Sequence, residues 1–121
     1  MANKEINEEV KPIIIKNEET GEEYTLEFTR DSVRFAEARK FDLDDVGKFP
    51  MTKIPELFFY AFRAHHMNVS REKTDRIFFD DLGGFEGLPE GFAERLGALY
   101  NVPFTSMGNG KKGTPKMTVV L

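Results

Sequence analysis

Apolar and polar residues alternate near the start of the chain. Tyr24, Leu26 and Phe28 fall on one face of an extended segment. A β-branched run at residues 13–15 precedes them, and a turn at residues 18–22 contains a glycine. Alternation on either side of a glycine-containing turn predicts a β-hairpin.

After the hairpin, apolar residues recur every three or four positions, which is the spacing of helices. Thr29 is expected to cap the first helix through the amide of Ser32, with Phe28 and Val33 forming a hydrophobic staple. Ser70 is expected to cap a later helix. The predicted helical segments are residues 30–40, a short turn at 41–47 that Asp42 caps and Gly47 ends, and longer helices at 52–66, 70–82 and 89–100.

The segment at residues 52–66 carries the strongest apolar pattern. Thr52 is its expected N-cap, and Pro55 lies in the first turn, where a missing amide does no harm. Its predicted core face consists of Ile54, Leu57, Phe58, Ala61, Phe62 and His65. Phe59 and Tyr60 lie off that face, so the helix is apolar around more than half of its circumference.

The two ends of the chain differ in character. Residues 1–11 are charged and are expected to be disordered, whereas residues 12–121 are expected to form a single globular domain. Residues 117–121 read as a strand that joins the hairpin. The predicted fold class is α+β, mostly α, with the hairpin and the C-terminal strand in a small antiparallel sheet packed with about four helices.

Composition narrows the class of protein. The 121 residues include no cysteine, which excludes a disulfide scaffold, a Cys-ligated zinc site and thiol catalysis. No apolar run reaches the length of a membrane span, so neither membrane insertion nor secretion is expected. A net charge of −4 with dispersed lysines and arginines argues against nucleic-acid binding. We therefore expect a cytoplasmic protein.

Several segments contain residues that are typical of metal-binding, acid-base or phosphate-binding sites. Adjacent residues on a helix point about 100 degrees apart, so neither the pair His65-His66 nor neighbouring carboxylates form a chelating or acid-base pair. The preferred interpretation places His65 at the edge of the core and His66 in solvent. The other candidates were the carboxylate pairs Asp44-Asp45 and Asp80-Asp81 and the glycine-rich stretches at 83–87 and 108–114, which lack the order of a phosphate loop. We expect no catalytic residue, no metal site and no cofactor, and hence no enzyme.

Aromatic residues exceed what one helix face can bury. They suggest a partner-binding surface, because exposed aromatic patches are typical of protein interfaces. The candidate residues are Phe58, Phe59, Tyr60, Phe62, Phe78 and Phe79. A thick phenylalanine-rich core, or a homo-oligomer interface that covers the second face, explains the same pattern, and the sequence leaves these alternatives open.

Two passages resemble a known family. They are residues 23–37 (EYTLEFTRDSVRFAE) and residues 50–66 (PMTKIPELFFYAFRAHH). With this order of elements, the chain resembles the tail assembly chaperone-like proteins of tailed phages and prophages of Gram-positive hosts, over about residues 12–121. The resemblance lies in apolar positions and helix caps and includes no catalytic signature.

The resemblance implies a non-enzymatic protein that acts in the host cytoplasm during tail morphogenesis. Such a chaperone coats the tape-measure protein, keeps its long apolar helices from aggregating, and leaves as tail-tube subunits polymerise. The implied partners are the tape-measure protein, with further copies of the chain and the tail-tube protein as additional partners. The alternative is a structural tail or head-tail component that acts through a homo-oligomeric interface.

Overall fold

The computed structural model describes residues 10–105, 116–117 and 119–121. Its sheet is a hairpin of β1 (Ile13–Lys16) and β2 (Glu23–Leu26), paired antiparallel with Ile13 opposite Leu26. The connecting turn depends on Gly21, whose φ of +80° is a conformation that side chains disfavour. The predicted hairpin is therefore confirmed.

Helices make up most of the rest of the described chain. In chain order they are α1 (Arg30–Ala38), α2 (Asp45–Lys48), α3 (Pro50–Phe62), α4 (Arg71–Arg76) continued by a π-helical turn (Ile77–Asp81), α5 (Gly84–Gly87) and α6 (Phe92–Asn101), followed by a 3₁₀ turn (Val102–Phe104). The fold is therefore α+β with a small antiparallel sheet. α5 is an addition to the prediction, because it lies in a connection expected to be irregular.

Two helix starts follow the predicted chemistry. The hydroxyl of Thr29 accepts a hydrogen bond from the amide of Ser32, and the Ser32 hydroxyl accepts one from the Thr29 amide, at 3.2 Å and 2.8 Å. The Ser70 hydroxyl accepts from the amide of Lys73 at 3.1 Å. These reciprocal and single caps satisfy amides that have no partner inside the helix.

Other boundaries differ from the prediction. α3 begins at Pro50 rather than after Thr52, since a proline fits the first helical position, where its missing amide costs nothing. Gly47 lies inside α2 instead of ending it. α6 begins at Phe92, three residues after Pro89.

α3 lies at the centre of the core. It packs against β2, α1, α4 and α6. Its predicted core residues Leu57, Phe58, Ala61 and Phe62 are buried. Tyr60 is also buried, at 3% exposure, and this corrects the prediction that it lies off the core face. The reason is that α1 and the segment after it cover this side of the helix with two phenylalanine rings.

The predicted C-terminal strand is absent from the described residues of the segment 117–121. Met117 and residues 119–121 form no strand in the described part of the chain, and their side chains are more than four-fifths exposed. β-Branched residues favour a strand only when a neighbouring edge supplies hydrogen bonds, and the described residues of this segment pair with no strand.

The predicted disordered segment 1–11 falls mostly outside the described residues. Val10 packs against the core, and the guanidinium of Arg95 donates to the carbonyl oxygen of Lys11 at 3.3 Å. The contacts of the chain with the domain therefore begin before the predicted boundary at residue 12. In the part of the chain that the structure describes, no helix has the length and apolar content needed to cross a bilayer.

Candidate functional site

Most of the predicted partner-binding residues lie in the core. Phe58 and Phe78 are fully buried, and Phe62 and Tyr60 are 1% and 3% exposed. Phe58 lies at the centre of this group, with its ring centre 5.1 Å from that of Phe62 and 5.3 Å from that of Phe78. A partner cannot reach these four rings unless the core opens.

The other two candidates are accessible but belong to different surfaces. Phe59 is half-buried beside Tyr60 and lies with Phe35, Arg63 and Met67 around a shallow indentation. Phe79 is 45% exposed, and its ring contacts that of Phe78. The six residues therefore do not form one continuous face.

Phe79 forms an exposed aromatic pair with Phe85. Phe85, 39% exposed, places its ring centre 6.0 Å from that of Phe79. Both rings rest on the buried ring of Phe78, at 4.8 Å and 5.1 Å, in edge-to-face arrangements. We call Phe79 and Phe85 the aromatic patch. Because it stands on a core residue, the patch is anchored rather than loosely attached.

The local sequence explains how the patch forms. At the end of α4 the helix widens into a π-helical turn, closed by a 2.8 Å hydrogen bond from the amide of Leu82 to the carbonyl of Ile77. The chain then reverses through glycines into α5. A Cβ on Gly87 would overlap the carbonyl oxygen of Leu82, so only glycine permits this approach. The reversal brings Phe85 back onto Phe79.

Acidic residues neighbour the members of the patch in the sequence. Asp80 and Asp81 follow Phe79 directly, Glu86 follows Phe85, and all three side chains are exposed. Acidic residues close to an apolar surface favour a partner that presents lysine or arginine beside its apolar side chains. The pair Asp80-Asp81 is thus solvated and directly follows Phe79 in the chain.

On a second surface, two arginine side chains lie over one phenylalanine ring. The guanidinium carbon of Arg63 lies 3.8 Å from the centre of the Phe35 ring, and that of Arg39 lies 4.8 Å from it. Such cation–π contacts hold both side chains in place. Phe59 lies along this surface, so its surroundings are more basic than those of the aromatic patch.

The predicted positions of the two histidines are wrong, because His65 is the exposed residue and His66 is the half-buried one. His65 is exposed, and its Nε2 lies 2.6 Å from the Glu27 carboxylate. His66 is half-buried and accepts a hydrogen bond from the amide of Thr25. The prediction had His65 at the core edge, but α3 ends at Phe62 and the turn that follows redirects both rings. Among the described residues, no three His, Asp or Glu side chains form a group able to hold a metal ion.

Phe85 is the member of the patch that sequence reasoning missed. Its segment, residues 83–88, has the composition of a glycine-rich connection, and glycine-rich stretches suggest a phosphate loop before an aromatic contact. The available signal was an aromatic residue between glycines four positions apart, a spacing that allows a tight reversal. Glycines in such a turn indicate a close approach of the backbone, which can fold the residue between them back onto the preceding helix.

The chain was compared with known proteins. Neither the curated proteins nor the solved structures include a significant match to it. A family model described as "Domain of unknown function (DUF5055)" matches residues 1–120, which is nearly the whole chain. The chain therefore belongs to the DUF5055 family.

Proposed function

We propose that this protein is a non-enzymatic tail assembly chaperone, and that its aromatic patch binds apolar helices of a tape-measure protein during phage tail morphogenesis. The observation that carries the proposal is the exposure of Phe79 and Phe85 side by side on a buried aromatic support. The choice of partner rests on the family resemblance described above.

The patch has the properties of a small interface anchor. Aromatic residues supply much of the binding energy in protein interfaces, especially when they are held rigid before binding. Complete burial of a phenylalanine side chain contributes about 1.5–3 kcal/mol, and these two rings are already partly buried. One patch therefore gives a weak contact. Several copies of the chaperone bound along a long tape-measure protein give a strong association in which each copy can still be displaced.

The acidic residues next to Phe79 and Phe85 in the sequence suit a helical partner such as the tape-measure protein. An amphipathic helix presents an apolar stripe flanked by charged residues. Asp80, Asp81 and Glu86 would face the basic residues that flank such a stripe. The same carboxylates would repel acidic helices, which adds selectivity.

Co-expression with the tape-measure protein tests the proposal. We expect the wild-type chain to raise the soluble fraction of that protein, and a Phe79→Ser, Phe85→Ser double variant to lose most of the effect. Phe49→Ser is the matched control, because Phe49 is 57% exposed and lies outside the patch. Circular dichroism establishes that each variant is folded. A folded double variant that solubilises as well as the wild type would rule out the patch as the binding surface.

A structural tail or head-tail component is the second candidate function. It is favoured by the exposure of Met117, Val119, Val120 and Leu121, which a homo-oligomeric interface would cover. Light scattering on the purified chain and mass spectrometry of virions distinguish the two functions. A structural component would form a defined oligomer and remain in the particle in stoichiometric amounts, whereas a chaperone would be absent from it.

A further inference from the structure

A cleft of about 540 Å³ opens between the segment that follows α1 and the C-terminal end of α6. It shares no residue with the aromatic patch. Its lining includes Glu37, Lys40, Phe41, Asp42, Tyr100 and Phe104. The volume falls within the range of about 300–1,000 Å³ that is usual for small-ligand sites.

Aromatic rings form one part of the cleft. The ring centre of Tyr100 lies 5.5 Å from that of Phe41 and 6.0 Å from that of Phe104. Phe104 is 59% exposed, so its ring is available to a ligand. Aromatic faces attract cations through their electrostatic quadrupole.

Carboxylates form the other part. Glu37, Asp42 and Asp44 contribute three negative charges to the lining, and Lys40 contributes one positive charge. The amide of Asp44 donates to Oδ1 of Asp42 at 3.0 Å, which orients that carboxylate. Carboxylates pair with guanidinium and ammonium groups through charge-assisted hydrogen bonds, and the neighbouring aromatic rings can contact the carbon atoms of an organic cation.

A buried polar group points to the same place. Tyr100 is 4% exposed, and its hydroxyl makes no hydrogen bond among the described residues. The hydroxyl is not among the fully buried side-chain atoms that lack a partner in the described chain, and Tyr100 lines the cleft. Burial raises the pKa of Tyr100 to about 12, and the carboxylates of Glu37 and Asp42 add to the rise. The hydroxyl therefore stays protonated, close to both carboxylates.

Helix ends add to the negative potential. Glu37 lies in the last turn of α1 and Asn101 is the last residue of α6, so two helix C-termini meet at the cleft. The C-terminus of a helix carries a partial negative charge that stabilises cations nearby.

We propose that this cleft binds an organic cation, a guanidinium or alkylammonium group, with Glu37 and Asp42 pairing with the charge and Phe104 and Tyr100 contacting the attached carbons. The site is independent of the proposed chaperone function. An arginine or lysine side chain of a polypeptide and a free amine carry this same chemistry.

Amide NMR titration tests the proposal directly, because a chain of 13.9 kDa gives well-resolved spectra. The probes are agmatine and the peptide acetyl-Gly-Arg-Gly-amide, at constant ionic strength. We expect saturable shifts confined to residues 37–44 and 100–104, with a dissociation constant of about 1–10 mM. The neutral analogue acetyl-Gly-citrulline-Gly-amide should give none. Tighter binding of the peptide would indicate a polypeptide ligand, and tighter binding of agmatine a free amine.

Two conservative variants connect the signal to the site. Asp42→Asn keeps an oxygen acceptor for the Asp44 amide and removes the charge, and Glu37→Gln also removes one charge. Each should weaken binding about tenfold or more. Glu90→Gln, which removes an exposed charge outside the cleft, is the matched control and should bind as the wild type does. The proposal is overturned by equal binding of the citrulline peptide, by variants that bind unchanged, or by the absence of saturable shifts.

Discussion

The backbone amide of Thr25 donates a 2.9 Å hydrogen bond to Nε2 of His66. This contact holds the outer edge of β2 against the turn that follows α3. The ring of Tyr24 packs on the same imidazole, with ring centres 5.1 Å apart. An imidazole nitrogen accepts a hydrogen bond only while it carries no proton, so the contact requires the neutral ring.

The stability of the fold should therefore depend on the protonation of His66. Burial lowers the pKa of His66 from 6.5, and the neighbouring His65 adds to the shift. Because the unfolded chain binds this proton more readily, the contribution is complete above pH 6.5 and is lost as the pH falls through the folded pKa. We expect a loss of about 1 kcal/mol from this hydrogen bond, measured by urea unfolding at about pH 7.5 and about pH 5.

Two glutamine variants separate this effect from the titration of carboxylates. His66→Gln should reduce the difference in unfolding free energy between the two pH values. His65→Gln should leave the Thr25 hydrogen bond in place and retain more of the difference. An equal pH dependence in the wild type and in His66→Gln would contradict the assignment.

Lys40 supplies a second prediction. It has a φ of +68° at the end of α1, where Lys40 and Phe41 donate to the carbonyls of Glu37 and Ala36 at 2.9 Å and 3.1 Å. This pattern usually places glycine at the residue with positive φ. Lys40→Gly should raise the free energy of unfolding by about 0.5–1 kcal/mol. Lys40→Ala removes the same side chain without relieving the strain and should not stabilise the fold. Equal unfolding energies for the two variants would show that no strain is stored there.

Two glycines should respond to alanine in opposite directions. Gly87→Ala forces a Cβ into the Leu82 carbonyl and should destabilise the fold, displacing Phe85 from Phe79. Gly97 lies inside α6, and a Cβ there meets nothing within 4 Å. Gly97→Ala should therefore stabilise by about 1 kcal/mol through helix propensity. Thermal unfolding of both variants gives the comparison, and a stable Gly87→Ala protein would show that the reversal does not need glycine.

The aromatic residues predict a contrast between core and patch. Phe58→Ala empties a fully buried site and should cost about 3–5 kcal/mol. Phe79→Ala, at a residue 45% exposed, should cost about 1 kcal/mol or less. Denaturant unfolding measures both. If Phe79→Ala lowered the free energy of unfolding as much as Phe58→Ala does, Phe79 would be a core residue rather than part of an exposed patch.

The sequence predicted those features that depend on local chemistry. The hairpin follows from alternation and a glycine at its turn, and the helix starts at Thr29 and Ser70 follow from hydroxyl caps. These signals lie within a few residues of what they determine. The general fold class could therefore be derived from the chain alone.

Features that depend on distant neighbours were not predicted. Periodicity shows that Tyr60 lies off the first apolar face of α3, but not that Phe35 and Phe41 cover the second face. Likewise, the β-branched residues within 117–121 show strand propensity but not whether a sheet edge is present to pair with them. The aromatic patch depends on a π-helical turn and a glycine reversal, and neither has a strong signature in a single sequence.

The central claim is that the aromatic patch contacts the client. The most direct test is photo-crosslinking during co-expression with the tape-measure protein. A photo-crosslinking phenylalanine analogue replaces Phe85, and the same replacement at Phe49 is the control. The account predicts a crosslink to the tape-measure protein from position 85 that is far stronger than that from position 49. Equal crosslinking from both positions, or none from position 85 while the client stays soluble, would contradict it.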